Sequence, residues 1–279
     1  MLLAGFIAGA VTSLRALYPQ EEARGIVLML CKDVLGTESY THIIEPAYEI
    51  ADEKLPPLEW AMARLREGEP IQYVLGYEEF CGHRFNVTSD VLIPRPETQM
   101  LVEEALRLAP DGARVLDLCT GSGCIAWSVA QALPSSRVTA ADISPEALAV
   151  ASSQPFDIPN KPRFMQADIL GEAPSIGPFD LILSNPPYVM ESEKVRMRRN
   201  VLEYEPEIAL FVPDDDPLLF YRGIARWSHE LLAPGGWGIA EINEALGGEM
   251  KGFFEKSGFK KTALLKDYFS KNRFILFQK

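Results

Sequence analysis

The stretch VLDLCTGSGCIAWSVA, Val115 to Ala130, changes character in its middle. Arg114 to Leu118 is a short apolar run that reads as a buried strand, whereas the residues after Gly123 have helical composition. Between them Cys119, Thr120, Gly121, Ser122 and Gly123 form a turn, where Gly121 and Gly123 let the backbone approach a ligand and aim its amides toward it. A strand, a glycine turn and a helix in that order open a doubly wound α/β domain. A purely structural strand-to-helix turn would read the same way, so the flanking chain has to decide.

Downstream, strands and helices alternate. Arg137 to Asp142, Arg163 to Gln166, Phe179 to Ser184 and Gly236 to Ile242 are further strand candidates, which predicts a parallel sheet covered by helices on both faces. Gly258 to Leu265 and Asn272 to Gln278 are separated only by Lys266 to Lys271, a link that permits an antiparallel pair and is too short for a parallel crossover. Asp142 falls about twenty residues after the glycines, where such a domain places a carboxylate to grip ribose hydroxyls. The third position of the glycine fingerprint is Ala126, a form that leaves dinucleotides open on spacing alone. Asp168, in QADIL, is placed to accept from an adenine amino group or to serve as a loop acid or helix cap. Cys119 to Gly123, Asp142, Asp168 and Asn185 all lie at carboxyl ends of strands, where a parallel sheet opens its ligand crevice.

The fourth strand runs into SNPPYV, Ser184 to Val189. Two consecutive prolines forbid continuation as strand or helix, so the corner is rigid. Its groups suit a planar NH2: the Asn185 side-chain oxygen and the Pro186 carbonyl accept the two hydrogens, Pro187 stiffens the corner, and the Tyr188 ring packs on the plane.

Upstream, Met1 to about Gly68 has a helical pattern, with breaks expected at Tyr18-Pro19, Gly36, Glu45-Pro46 and Pro56-Pro57, hence a small helical bundle. MLLAGFIAGAVTSL is uncharged, yet its first positive charge, Arg15, follows the apolar stretch, unlike the basic start of a secretory signal. Leu3, Ile7, Val11 and Leu14 recur at helical spacing, which predicts a helix with one buried face, and no run reaches the length of a membrane span. EEFCGHRFNV predicts a hairpin turning at Gly82 and joining two domains. PRPETQMLVEEALRLA predicts an amphipathic helix with an acidic first turn.

The whole chain of 279 residues carries 27 Lys and Arg against 39 Asp and Glu, a formal charge of −12. That balance disfavours a nucleic-acid substrate and suits a basic protein partner. Cys31, Cys81, Cys119 and Cys124 show no metal-ligand spacing; no metal is expected, and the thiols read as those of a reduced, cytoplasmic protein.

Asn-Pro-Pro-Tyr after a strand resembles the catalytic motif of S-adenosylmethionine-dependent methyltransferases that modify exocyclic or amide nitrogens. The segment from Arg66 to Leu106, with LDLCTGSGCIA, SNPPYV, YEPEIALFV at Tyr204 to Val212 and KDYFSKNRFIL at Lys266 to Leu276, closely resembles the HemK/PrmC family of release factor glutamine methyltransferases. The resemblance implies a Rossmann-like S-adenosylmethionine-dependent methyltransferase sheet with a small N-terminal helical domain and a β-hairpin linker. The corresponding domains are a release-factor-docking region at 1–75, the hairpin at 76–93 and a catalytic domain at 94–279. It implies S-adenosyl-L-methionine as cofactor, peptide chain release factors as partners, and methyl transfer to the glutamine of their Gly-Gly-Gln loop, with no direct nucleic-acid substrate and no membrane.

By the same resemblance the glycine loop is Cys119 to Gly123, the ribose acid Asp142, a cofactor contact Ile169, and the substrate clamp Asn185, Pro186, Pro187 and Tyr188. Two residues depart from the family pattern: Cys119 stands where glycine is more usual, and Ile169 where an aromatic can occur. Arg95 and Glu97 are expected near the site entrance, Arg95 either meeting substrate or pairing with a carboxylate of its own chain. The cluster Arg196, Arg198 and Arg199 reads as a solvated run, a lid or a contact with an RNA-binding partner. His42, His83 and His229 lie far from the motif and read as structural. Competing readings are a ribosomal-protein glutamine methyltransferase, a DNA adenine methyltransferase, a nicotinamide-dependent oxidoreductase and a non-catalytic assembly factor.

Overall fold

The computed structural model describes all residues from Met1 to Lys279. The chain forms two compact units, one of Met1–Tyr77 with Arg198–Tyr204, the other of Glu78–Met197 with Glu205–Lys279.

The first unit contains helices α1 (Leu3–Leu14), α2 (Gln20–Leu35), α3 (Thr41–Ile44), α4 (Leu55–Arg66) and α5 (Ile71–Leu75). Leu3, Ile7, Val11 and Leu14 form the buried stripe of α1 and meet Val27, Leu30, Leu58, Met62 and Leu65. α2 stops at Gly36, which takes the left-handed conformation and donates its amide to the Lys32 carbonyl. Pro56 and Pro57, expected to break a helix, instead lie in the first turn of α4, where a missing N–H costs nothing. No helix of the chain is long and apolar enough to cross a membrane.

The second unit begins at Glu78, one residue into a hairpin of β1 (Tyr77–Phe80) and β2 (His83–Asn86) that turns through Cys81 and Gly82, both at positive φ. There follow α6 (Gln99–Leu108), β3 (Arg114–Leu118), α7 (Cys124–Ala132), β4 (Arg137–Asp142), α8 (Pro145–Ser152), β5 (Arg163–Gln166), β6 (Phe179–Ser184) and the two-residue β7 (Val189–Met190). Helix α9 (Arg199–Tyr204) lies in the first unit. The chain then adds β8 (Phe211–Val212), α10 (Leu219–Leu231), β9 (Leu232–Glu241), α11 (Gly247–Lys256), β10 (Lys261–Lys266) and β11 (Asn272–Gln278).

Seven strands make one sheet in the order β10-β11-β9-β6-β3-β4-β5. The five from β9 to β5 are parallel, and β11 and β10 add on antiparallel. Alternation along each strand sends side chains to opposite faces. Val115, Leu181, Leu183 and Phe274 pack on one side with Phe80, Phe85, Leu101, Ile125 and Trp127 of the hairpin, α6 and α7. Leu116, Ile182, Ile275 and Phe277 pack on the other with Tyr221, Trp227, Met250 and Phe254 of α10 and α11.

Two strand starts differ from the sequence expectation by several residues, and the ends of the same two strands by one. β9 starts at Leu232 rather than Gly236, because Pro234-Gly235-Gly236 is absorbed as an irregularity in the pairing with β6. β10 starts at Lys261 rather than Gly258, because Gly258, at φ +90°, ends α11 instead.

Candidate active site

The carboxyl ends of β3, β4, β5 and β6 open into a cavity of about 270 Å³. Cys119, Thr120, Gly121, Ser122, Asp142, Asp168, Ile169, Asn185, Pro187 and Arg95 line it; Gly123, Pro186 and Tyr188 are not among the lining residues.

The turn after β3 is held from two sides. Thr120 donates its amide to the Ala141 carbonyl at 3.1 Å and its hydroxyl to Asp117 Oδ2 at 2.5 Å. Asp142 accepts the Gly121 amide on Oδ2 at 2.9 Å and the Ser144 amide on Oδ1 at 3.0 Å. Ser144 then caps α8, accepting from the Ala147 amide, with Pro145 in the first turn. The ribose acid expected at Asp142 is therefore oriented by backbone alone, and each oxygen keeps capacity for a further donor.

The two glycines of the turn serve different ends. A Cβ on Gly121 would meet nothing within 4 Å, so this residue leaves open space at the cavity wall. A Cβ on Gly123 would lie 3.1 Å from Ala151 Cβ and 3.2 Å from Trp127 Cδ1, and its φ is +78°, so this glycine lets α7 start close against α8. Gly123, expected to approach a ligand, also makes room for this helix packing. Cys119 has a φ of +57°, the left-handed region that glycine occupies without cost, so the chain carries its cysteine there under strain.

Carboxylates dominate the surroundings. Asp117 is fully buried, and burial pushes its pKa up to about 7; the Thr120 hydroxyl and Ala126 amide oppose the rise, and the charge of Asp142 adds to it. Its Oδ1 has no hydrogen-bond partner. Burial also raises Asp142, against the pull of the Gly121, Ser144 and Ile143 amides. Burial first, then the charge of Asp142, keeps Cys119 a neutral thiol. The cation at the wall, Arg95, is paired with Glu205 over 2.6 Å, and Glu205 also accepts the Ile93 amide at 3.1 Å. Arg95 therefore meets a carboxylate of its own chain while lining the cavity. Such a field attracts a cation and repels a pyrophosphate, which weighs against the dinucleotide left open by the glycine spacing.

Asp168 and Ile169 follow β5. Asp168 Oδ1 accepts the Leu170 amide at 2.8 Å, so the acid shapes its own loop while lining the cavity. Arg226 donates to the Ile169 carbonyl at 3.1 Å and Trp227 Nε1 to the Gly171 carbonyl at 3.1 Å, so α10 pins this loop and buries Ile169.

At the fourth strand end, Asn185 Nδ2 donates to Thr98 Oγ1 at 3.3 Å. Thr98 Oγ1 donates to Glu241 Oε2 at 2.7 Å, and the Tyr188 hydroxyl donates to Glu241 Oε1 at 2.9 Å. Asn243 Nδ2 donates to the Tyr188 carbonyl at 3.3 Å. Neither Asn185 Oδ1 nor the Pro186 carbonyl accepts a hydrogen bond from the chain. Thr98 and Glu241 are not among the candidates that the sequence offers. The trace they leave in sequence is an acid closing the apolar run GIAE, the placement that marked Asp142.

The histidines are elsewhere: His42 bonds Arg24, His83 packs edge-on to Phe156, and His229 stacks on Phe259. None lines the cavity. Arg198 pairs with Glu22 and Arg199 with Glu203, within the first unit. No cluster of side chains suited to a metal ion is present.

The family model "PrmC N-terminal domain" matches residues 7–76, and "Methyltransferase small domain" matches residues 80–204. A release factor glutamine methyltransferase of Bacteroides thetaiotaomicron is 44% identical over 264 residues, spanning 94% of this chain and 95% of that protein. The namesake from Flavobacterium psychrophilum is 37% identical over 99% of this chain and 98% of its own length. The chain belongs to the release factor glutamine methyltransferase family. As a member it is a methyltransferase. The solved hMettl16 catalytic domain, in complex with an RNA hairpin, superposes with a TM-score of 0.54, 15% identity and 81% coverage of either chain, a likeness of fold alone.

S-adenosyl-L-methionine is the cofactor of this methyltransferase fold. The residues of this family member fit it: an acid-walled cavity for a molecule bearing sulfonium and ammonium charges, an open wall at Gly121, and an oriented Asp142 for hydroxyl donors.

Proposed function

We propose that the protein methylates the side-chain amide nitrogen of the glutamine in the Gly-Gly-Gln loop of peptide chain release factors. The single observation that carries this reading is the corner at Asn185 and Pro186, whose two carbonyl oxygens accept nothing from the chain and whose Asn185 and Pro187 line the cavity, in a chain 44% identical to a release factor glutamine methyltransferase.

In this reading Asp142 holds ribose hydroxyls, the turn from Cys119 to Gly123 shapes the cofactor cavity, and Asp168 and Ile169 bound its far wall. Asn185 Oδ1 and the Pro186 carbonyl accept the two amide hydrogens of the substrate. Pro187 fixes the direction of the corner, the Tyr188 ring lies along the amide plane, and Arg95 stands at the entrance. The helical unit at the amino terminus contributes to docking the release factor.

The cofactor supplies a methyl group on a sulfonium, an electrophile that needs little help to leave. The difficulty lies with the amide nitrogen, whose lone pair is delocalised into its carbonyl. Holding both N–H groups on oxygens draws electron density toward nitrogen and points its lone pair along the line of transfer. With the cofactor held by Asp142 and the turn from Cys119 to Gly123, it would supply the methyl group, while Asn185 Oδ1 and the Pro186 carbonyl would hold the amide hydrogens until one is lost to solvent as the nitrogen becomes methylated. Alignment and exclusion of water supply the rate, and no histidine base is needed.

The test is transfer of radiolabelled methyl to purified release factor, ribosomal protein or DNA by the parent and Asn185→Ala. Label on the release factor glutamine, reduced by about 10²-fold or more in the variant with unchanged cofactor affinity, is the expected result. Label confined to ribosomal protein or DNA, or near-parental transfer by Asn185→Ala, would overturn the reading.

A further inference from the structure

Glu241 lies at the carboxyl end of β9, 1% exposed, with no cation bonded to its carboxylate. Its two oxygens are used by two hydroxyls that arrive from distant parts of the chain, Thr98 at 2.7 Å and Tyr188 at 2.9 Å. Its carbonyl accepts from the Tyr221 hydroxyl at 2.8 Å, which anchors the strand end itself. A buried carboxylate so placed is costly unless every lone pair has a task.

The task follows from counting hydrogens. Burial raises the Glu241 pKa, while the Thr98 and Tyr188 hydroxyls and the charge of Arg273 pull it back; as a carboxylate it only accepts, so Thr98 and Tyr188 each spend their single hydroxyl hydrogen on it. Thr98 Oγ1 can then only accept from its remaining neighbour. That neighbour is the Asn185 side chain, 3.3 Å away, which must present its NH2. An amide whose nitrogen is fixed on one side has its oxygen fixed on the other.

We propose, on the basis of the glutamine-methylating reading above, that Glu241 is a positioning residue: through Thr98 it sets which end of the Asn185 amide faces the cavity, and through Tyr188 it sets the ring beside it. The groups facing Glu241 are Thr98 and Glu97 from the segment before α6, Tyr188 from the corner, Tyr221 from α10 and Arg273 from β11. Arg273 is itself held by Asp267 at 3.0 Å, so the cation next to the network is anchored outside it. A glutamine at 241 would keep the size and lose the logic, because one of its two ends donates. The Thr98 hydroxyl or the Tyr188 hydroxyl would have to turn, and the Asn185 amide would lose its reason to face one way.

The experiment uses the full chain and four variants, Glu241→Gln, Thr98→Val, Thr98→Ser and the double Glu241→Gln/Thr98→Val. Two readouts are taken, kcat for methyl transfer with cofactor Kd by calorimetry, and the nitrogen-15 side-chain resonance of Asn185, assigned by its loss in Asn185→Asp. Glu241→Gln and Thr98→Val are expected to lower kcat by about 10-fold or more while Kd stays within twofold, and to move the Asn185 resonance. Thr98→Ser, which keeps the hydroxyl, restores both, and the double variant is no worse than either single one. An Asn185 resonance unmoved in Glu241→Gln, or single-variant losses that multiply in the double, would overturn the proposal. Should Glu241→Gln not fold, the Thr98→Val and Thr98→Ser pair decides it. Absence of transfer by the parent itself counts against the functional reading alone, since the resonance needs no substrate.

Discussion

Asp142 Oδ2 accepts the Gly121 amide hydrogen at 2.9 Å, so the acid ending β4 and the glycine in the turn after β3 hold each other in register across the sheet. Asp142→Ala removes both the acid proposed to hold the cofactor ribose and the acceptor for two backbone amides, those of Gly121 and Ser144. Charge-assisted hydrogen bonds contribute roughly 1.5–3 kcal/mol each, so cofactor Kd should rise by about 10- to 100-fold. Calorimetry checks this, and a Kd unchanged in Asp142→Ala would remove Asp142 from the cofactor site.

Gly121→Ala and Gly123→Ala should fail differently. Both glycines have positive φ, +53° and +78°, so either methyl costs backbone strain; at Gly121 it otherwise enters open space at the cavity wall, so the further loss appears as weaker cofactor binding. At Gly123 it presses on Ala151 and Trp127 at 3.1 and 3.2 Å, so the loss appears as a melting temperature lower than that of Gly121→Ala. Equal melting temperatures would show that the contact with α8 is unimportant.

Asp117 makes stability and binding depend on pH. Its folded pKa, about 7, lies above its ordinary 3.8, so between these values the folded chain holds a proton that the unfolded chain has released. Stability from this group is therefore greatest at low pH and declines as pH rises from about 4 to about 7. Asp117→Asn should flatten that decline in denaturant titrations across the window. A cationic ligand nearby favours the carboxylate, so cofactor binding at pH 7 should release protons, seen as a buffer-dependent enthalpy that Asp117→Asn abolishes.

Cys119 tests the cost of a side chain at a φ of +57°. Glycine relieves the strain, worth roughly 1–2 kcal/mol, and gives back part of it through the looser unfolded chain. A β-branched residue adds to the strain. Thermal unfolding should therefore place Cys119→Gly at or above the parent and Cys119→Val clearly below both. A Cys119→Val variant as stable as the parent would mean that the turn adapts.

The strands that build the site were legible because each is a short buried run ended by a turn. Arg114–Leu118, Arg137–Asp142, Arg163–Gln166 and Phe179–Ser184 match their expected limits residue for residue. The limits that slipped, at Leu232 and Lys261, lie beside glycines whose local meaning depends on partners: a strand irregularity in one case and a helix stop in the other. The cavity lining was largely legible too, since parallel topology collects strand ends at one edge. What sequence concealed was pairing at a distance. Thr98 and Glu241 are separated by 143 positions, and Arg95 from Glu205 by 110. Locally, PET in IPRPET reads as the start of a helix and Glu205 as one acid among many. Only the folded chain brings an acceptor to each donor.

The return of Arg198–Tyr204 to the helical unit has a practical meaning. The backbone passes from one body to the other at three places, after Tyr77, after Met197 and after Tyr204. Excising the amino-terminal seventy-seven residues would not release a clean module, because Tyr204 would lose the Glu67 carbonyl it donates to, and Arg198 its Glu22. The two bodies are laced rather than strung together, and a truncation meant to isolate the sheet would leave a loose stitch within it.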